Sequence, residues 1–326
     1  MRILVTGGAG FIGSQFVRGV LTGEYPGLDA ARVTVLDKLT YSGDPANLDP
    51  VADDPRLTFV RGDVCDERAV DAALAGHDAV VHLAAETSVD RSISGGGVFV
   101  RTNVLGTQVL LDAAARHGVA RFIQVSTDEV YGSIERGSWD ETCPPAPNSP
   151  YSASKAGADL LALAHHRTHG VPVVVTRCAN NYGPRQYPEK IIPLFLLNLF
   201  EGSTVPLYGD GGQVRDWLHV EDHCRALALV LAGGRPGEIY NVGGGTELTN
   251  RELAERLVAL CGAGPDRIRQ VTDRKGHDRR YSVDDSKIRR ELGYAPLVPF
   301  DEGLASTARW YRERWSARAR VSPTGT

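Results

Sequence analysis

Val5-Thr6-Gly7-Gly8-Ala9-Gly10-Phe11-Ile12-Gly13 stands between an apolar run, Arg2 to Thr6, and a stretch of helical character, Phe11 to Leu21. Glycines at 7, 10 and 13 each answer a separate need at a strand-to-helix junction. The first permits a tight turn, the second lets backbone approach a pyrophosphate, and the third lets the helix pack close to the sheet. The helix then offers free N–H groups and about half a positive charge to phosphates. Gly7, Gly10 and Gly13 are therefore candidate cofactor residues.

The same alternation continues downstream. Strands are expected at Val33 to Asp37, Thr58 to Arg61, Ala79 to Ala84 and Arg121 to Ser126, with helices at Ala69 to Ala75 and Val98 to His117. Strands alternating with helices predict βαβ units and a parallel sheet covered on both faces. A further helix carries its own punctuation: Ser149 as cap, Pro150 at its first position and Gly170 after its last turn. Val171 to Thr176 is the next strand. Prolines and glycines then crowd Asn180 to Gly212, and Arg215 to His223 reads as a short strand entering a helix. Thr249 and Glu252 form a capping box ahead of a helix that ends before Gly262, and Asp285 to Leu292 is a helix closed by Gly293. The fold class expected is α/β: a Rossmann-type doubly wound parallel sheet with a smaller, interleaved C-terminal α/β substrate domain. The expected division is 1–178 for NAD, with a returning segment near 214–240, and 179–326 for substrate. Val321 to Thr326 reads as a frayed tail.

Length and charge narrow the partners. A chain of 326 residues buries a large core without staples. Its net charge of −4 gives no global field for nucleic acid or an anionic membrane. Any phosphate ligand must be held locally. The five scattered cysteines form no C-x-x-C pair, which argues against disulfides and a zinc site and for a reducing, cytoplasmic setting. The opening M-R-I-L-V-T-G-G is expected to carry no secretion signal, and no membrane segment or metal is expected.

Asp37 ends the second strand, where a carboxylate accepts both hydroxyls of an adenine ribose and repels a 2′-phosphate, favouring NAD over NADP. Lys38 tempers that preference. Asp63, ending the third strand, is a candidate for the adenine amino group. Tyr151 and Lys155 are one helical turn apart and share a face. An ammonium there favours the phenolate and can hold a ribose. Ser126-Thr127-Asp128-Glu129 leaves the C-terminal end of the preceding strand, the edge where open α/β sheets bind ligands.

The glycine loop, Ser126 and Y-x-x-x-K resemble the extended short-chain dehydrogenase/reductases that modify nucleotide sugars. D-K-L-T-Y-S-G (37–43), H-L-A-A-E-T (82–87), V-D-R-S-I (89–93), S-T-D-E-V-Y-G (126–132) and S-P-Y-S-A-S-K-A (149–156) are similar to the dTDP-glucose 4,6-dehydratases. So are N-N-Y-G-P (180–184), P-E-K-I-I-P (188–193), R-D-W-L (215–218) and G-H-D-R-R-Y (276–281). Ser88 and His219 depart from the family pattern without touching the acid–base group.

The resemblance implies an NAD-dependent lyase. Oxidation at carbon 4 of the sugar makes the carbon 5 proton removable, water leaves across carbons 5 and 6, and carbon 6 is then reduced. Tyr151 would take the carbon 4 hydroxyl proton, with Thr127 on that oxygen. Glu129 would remove the carbon 5 proton and a neutral Asp128 would protonate the departing hydroxyl. Neighbouring acids with opposite demands are expected to be tuned apart. The resemblance assigns NAD to Phe11, Ile12, Asp37, Lys38, Leu39, Thr40, Asp63, Val64, Leu83, Ala84, Ala85, Thr102 and Asn181. It assigns the sugar to Glu86, Thr87 and Asn180, and the base and ribose to Lys190, Ile191, Ile192, Pro193, Leu194, Pro206, Leu207 and Tyr208. Arg215 and Arg274 are candidate diphosphate clamps because guanidinium matches phosphate oxygens bidentately. Asn250 lies in the first turn of a capped helix, where an anion is also favoured, and His277 joins this set by its motif. A dTDP-glucose substrate and a homodimer built on Val98 to His117 and Pro150 to His169 are further implications. A 4-epimerase or decarboxylase, or a non-catalytic NAD sensor, are the competing readings; neither needs the Asp128-Glu129 pair.

Overall fold

The structure is a computed structural model that describes residues 1–321. The first half runs β1 (Arg2–Thr6), α1 (Phe11–Leu21), β2 (Arg32–Asp37), β3 (Leu57–Arg61), α2 (Glu67–Leu74), β4 (Ala79–His82), α3 (Val89–Ser94), α4 (Gly96–Phe99), α5 (Gly106–His117), β5 (Arg121–Thr127) and α6 (Pro150–His169). The second half runs β6 (Val173–Cys178), β7 (Asn180–Tyr182), α7 (Ile191–Phe200), β8 (Val205–Tyr208), β9 (Val214–His219), α8 (Val220–Gly233) and β10 (Ile239–Val242). It ends with β11 (Glu247–Thr249), α9 (Asn250–Leu260), β12 (Ile268–Val271), α10 (Ser286–Leu292) and α11 (Phe300–Val321).

Seven parallel strands form the main sheet in the order β10-β6-β5-β4-β1-β2-β3. The order reverses beside β1, which creates the crevice that a doubly wound sheet uses for ligands. One face is covered by α1, α8 and α10 through Phe16, Val20, Leu227 and Ile288. The other is covered by α2, α5 and α6 through Val70, Leu110 and Ala162. This is the predicted Rossmann-type sheet. A three-stranded sheet (β11-β9-β7) and a two-stranded one (β12-β8) lie apart from it, over a third core that joins α7, α9 and α11.

The punctuation read from sequence holds in detail. Ser149 accepts the Ser152 amide at 3.1 Å, Pro150 opens α6, and Gly170 closes it at φ +70°. Thr249 and Glu252 complete the capping box of α9. The expected helix from Val98 to His117 is instead α4, a π-helical stretch Val100–Leu105, and α5. Its β-branched residues Val100, Thr102 and Val104 are poor formers of a tight helix, and single π turns recur at functional sites. The expected returning segment, 214–240, divides between the two sheets. β9 belongs to the small sheet, whereas α8, β10 and α10 belong to the large one. The expected tail beyond Val321 lies outside the described residues. Among those described, no helix is long and apolar enough to cross a membrane, and all five cysteines are free.

Candidate active site

A long cleft opens at the C-terminal ends of the main-sheet strands. Its floor is the glycine turn between β1 and α1. Gly7 adopts φ +70°, and a Cβ there would sit 2.7 Å from the Ala84 amide nitrogen. A Cβ on Gly13 would sit 2.2 Å from the Gly7 carbonyl oxygen. Side chains would fill the cradle, so these backbone positions admit only glycine and leave room for a pyrophosphate. The Asp37 carboxylate accepts the Ala9 amide at 3.0 Å and the Leu39 amide at 2.8 Å. Both bonds orient it toward the cleft, beside Gly43, whose Cβ would come within 2.9 Å of Oδ1. Lys38 is tied to Asp63 at 2.7 Å. The Asp63 carboxyl is raised by burial but held below its usual range by the Lys38 ammonium. Lys38 is thereby neutralised as a partner for a 2′-phosphate. This cradle fits a dinucleotide with an unmodified adenine ribose.

Every cofactor candidate except Leu39 lines this one cleft: Gly7, Gly10, Phe11, Ile12, Gly13, Asp37, Lys38, Thr40, Asp63, Val64, Leu83, Ala84, Ala85, Thr102, Tyr151, Lys155 and Asn181. Leu39 sits outside it at φ +57° and shapes the Asp37 loop through its amide. Glu86, Thr87, Thr127, Glu129, Asn180 and Lys190 complete the wall. Asn103, in the π-helical stretch, fixes Glu86 from both sides of its backbone, at 2.8 and 3.0 Å. Sequence reasoning missed Asn103 because no motif marks it.

Thr127 ends β5 and caps a short turn, Asp128–Tyr131, by accepting the Glu129 amide at 3.3 Å. Thr127 also donates to Asp128 Oδ1 at 3.2 Å. Asp128 Oδ2 and Glu129 Oε2 are buried with no partner in the protein. Burial, then the Glu129 charge, pushes the Asp128 carboxyl well above its ordinary value. Burial also raises Glu129, but Lys190, Arg215 and Arg274 pull it back. Both carboxyls are therefore raised, Asp128 the more strongly, and only Glu129 has three cations pulling it back.

Tyr151 and Lys155 lie on the same face of α6, and Tyr151 is wedged by Val89 and Phe99. The dominant influences on the Tyr151 phenol are burial and then Glu129, and both push it upward. The Lys155 ammonium donates to the Val125 carbonyl at 2.6 Å. Burial lowers the Lys155 ammonium, and the Asp159 charge pulls it back up.

The substrate candidates divide. Arg215 is buried and cation–π stacked on Tyr281 at 4.1 Å, while its two terminal nitrogens donate to the Val214 and Asp278 carbonyls. Arg274 reaches Asp90 at 3.6 Å and keeps a buried, unpartnered Nε. Lys190 donates to the Thr87 carbonyl at 2.7 Å. His277 pairs with Asp273 at 2.6 Å and meets the Tyr208 ring edge-on at 6.1 Å. Asn250 is buried in the first turn of α9. Ile192 and Leu207 are core residues, with Ile191 and Leu194 packed on the same cluster. Pro193 is buried in α7 and Pro206 half-buried on β8. Of these, Lys190 alone lines the cofactor cleft.

The two departures from the family pattern have local reasons. Ser88 caps α3 by accepting the Arg91 amide. His219 caps α8 and packs edge-on to Tyr182 at 5.2 Å. Trp217 is core, and His82 is a satisfied structural residue between the Thr6 and Thr107 hydroxyls. Its imidazole is pushed down to about 3 by burial. Among the described residues no cluster could hold a metal.

The GDP-mannose 4,6 dehydratase family model matches residues 4–307. A dTDP-glucose 4,6-dehydratase of Streptomyces niveus is 64% identical over 96% of this chain and 93% of its own. DesIV of Streptomyces venezuelae, a dTDP-glucose 4,6-dehydratase crystallised with NAD, superposes with a TM-score of 0.96 at 62% identity, over 97% of this chain and 98% of its own. A UDP-glucose 4-epimerase of Thermus thermophilus shares the fold more distantly, at 34% identity and a TM-score of 0.87, over 96% of this chain and 99% of its own. With its glycine cradle, its buried Asp128-Glu129 pair and relatives of this likeness over nearly its full length, the chain belongs to the dTDP-glucose 4,6-dehydratases of the extended short-chain dehydrogenase/reductase superfamily.

Proposed function

We infer that the protein converts dTDP-glucose to dTDP-4-keto-6-deoxyglucose with NAD. The observation that carries the reading is the buried acid pair at the end of β5, tuned apart and next to Tyr151. An epimerase working through a 4-keto sugar has no use for two such acids. Bound NAD supplies a two-electron acceptor for carbon 4 and a donor for carbon 6. Tyr151 takes the carbon 4 hydroxyl proton as its phenolate, against the upward push of burial, with Lys155 one turn along α6. Thr127 hydrogen-bonds the carbon 4 oxygen. Glu129 takes the carbon 5 proton, and Asp128 gives its proton to the departing carbon 6 hydroxyl. Arg215, Arg274 and Lys190 carry the positive charge that two phosphates need, and Asn250 adds a neutral amide in the first turn of α9. The chain from β1 to β6 with α8, β10 and α10 forms the NAD-binding unit, and the remaining C-terminal elements form the substrate unit.

Incubation with dTDP-glucose in heavy water, followed by NMR, tests this. The expected product is the 4-keto-6-deoxy sugar with deuterium at carbon 5 and no net reduced NAD. A galactose-configured product or unchanged sugar would refute it.

A cytoplasmic homodimer is part of the same proposal. Ile93, Val98, Val100, Leu105 and Leu160 are exposed apolar residues on α3, α4, the π-helical stretch and α6. Leu160 is 57% exposed, a poor position for leucine in a monomer. Leu160→Asp is expected to shift the mass in solution from dimer to monomer by light scattering. A native protein already monomeric would overturn the dimer.

A further inference from the structure

Beneath the cleft lies a buried ion pair that the chemistry above does not use. Asp159 on α6 is wholly buried, and Arg177 on β6 is 1% exposed. Arg177 Nε donates to Asp159 Oδ2 at 3.0 Å, and the Ser126 hydroxyl donates to the same oxygen at 3.0 Å. Ser126 is the register partner of Arg177 across β5 and β6 and directly precedes Thr127. The Arg177 guanidinium also stacks on the Tyr131 ring at 4.6 Å. Tyr131 is the last residue of the turn that carries Asp128 and Glu129, and its hydroxyl donates to Asn241 Oδ1 at 2.9 Å. Asp159 is one helical turn beyond Lys155 on the same face.

Two features argue against a purely structural pair. A buried ion pair is weak evidence for stability, since apolar residues of similar volume serve as well. This pair is also incompletely satisfied: Asp159 Oδ1 and Arg177 Nη1 have no partner. The bonds it does make run to the two segments that hold the reacting groups.

We propose that Asp159 and Arg177 are positioning residues that set the two halves of the active site against each other. Asp159 holds the Lys155 end of α6 and the Ser126 end of β5. Arg177, through the Tyr131 ring, holds the angle of the Asp128-Glu129 turn. A displacement of about 1 Å at a reacting group costs roughly a hundredfold in rate, which is the scale of the effect.

This proposal rests on the dehydratase reading, and the test separates the two. Native protein must first turn over dTDP-glucose; its failure would sink the reading itself. Single-turnover measurements then follow the near-ultraviolet absorbance of reduced NAD for the oxidation, and, with carbon 5-tritiated substrate, release of tritium to solvent for the elimination. Asp159→Asn is expected to slow the oxidation by about ten- to a hundredfold with KM little changed. Tyr131→Leu is expected to spare the oxidation and slow the elimination to a similar degree, so reduced NAD accumulates. Asp159→Leu combined with Arg177→Met removes both charges. It is expected to recover melting temperature relative to the single changes, without recovering rate. Recovery of both together, or equal slowing of both steps by Tyr131→Leu, would overturn the proposal. Should the double variant not fold, the split between the two single variants decides alone.

Discussion

Glu129→Gln is expected to stop water elimination while leaving the preceding oxidation intact. The amide keeps the size of the side chain, so the cleft and the Thr127 cap are undisturbed. It removes the basic carboxylate whose Oε2 is buried with no partner in the protein. General base catalysis contributes about a hundred- to ten-thousandfold, and turnover should fall by that factor. Mixed with substrate, the variant is expected to turn its bound NAD to the reduced form and hold it there. Native turnover would remove Glu129 from the mechanism. The sign of the pH dependence follows from the same group. Glu129 must be ionised to act, and burial raises its carboxyl above the usual value of about 4.3. Native elimination therefore weakens as pH falls through that raised value, at a higher pH than an exposed glutamate would give. The variant lacks this limb. It also relieves Asp128, whose carboxyl is held up partly by the Glu129 charge. Carbon-13 NMR of the labelled Asp128 carboxyl is expected to show a lower titration point in the variant.

Gly13→Ala has the second large expected effect, through geometry and not charge. Its Cβ would meet the Gly7 carbonyl oxygen at 2.2 Å and the Gly8 Cα at 2.9 Å, both backbone. Neither can rotate away, so α1 must shift off the sheet or the turn must open. Overpacking costs about 1–3 kcal/mol of stability. NAD affinity should fall at least about a hundredfold, equal to about 2.8 kcal/mol, because the turn is also the phosphate cradle. Calorimetric titration with NAD and a melting curve measure the two parts. Gly97→Ala is the control: its Cβ would meet nothing within 4 Å, and its effect should stay within about 0.5 kcal/mol. Unchanged NAD affinity in Gly13→Ala would refute the cradle.

The first half of the chain was legible because each element has one strong local cause. The glycine turn, the Ser149 cap and the Gly170 stop each act within four residues, and each is where it was expected. The second half is governed by contacts distant in sequence. Ile191-Ile192-Pro193-Leu194-Phe195-Leu196-Leu197 is apolar all round, so it shows no helical period, yet it forms α7 between α9 and α11. β10 is four residues long, and only its place beside β6 makes it a strand. Within the site, Asp37, Asp128, Glu129 and Tyr151 stand at ends of strands and starts of helices, where spacing is informative. Arg215 was read as a free clamp. Nothing local revealed that its terminal nitrogens are spent on the Val214 and Asp278 carbonyls. Arg177 and Asp159 were passed over because a buried ion pair leaves no pattern in one sequence.

The position of β10 has a consequence for how the chain is made. β6 exposes a full row of backbone hydrogen-bonding groups until Ile239 to Val242 pair with Val175 to Cys178. Its sequence, V-V-V-T-R-C, carries no proline and one charge, so nothing local blunts that edge. About 64 residues separate the end of β6 from the end of β10, and synthesis at about 5–20 residues per second leaves the edge open for about 3–13 s. During that interval the nascent sheet is most open to pairing with a neighbouring chain. Expression yield should accordingly fall most sharply when translation slows or stops between Cys178 and Val242.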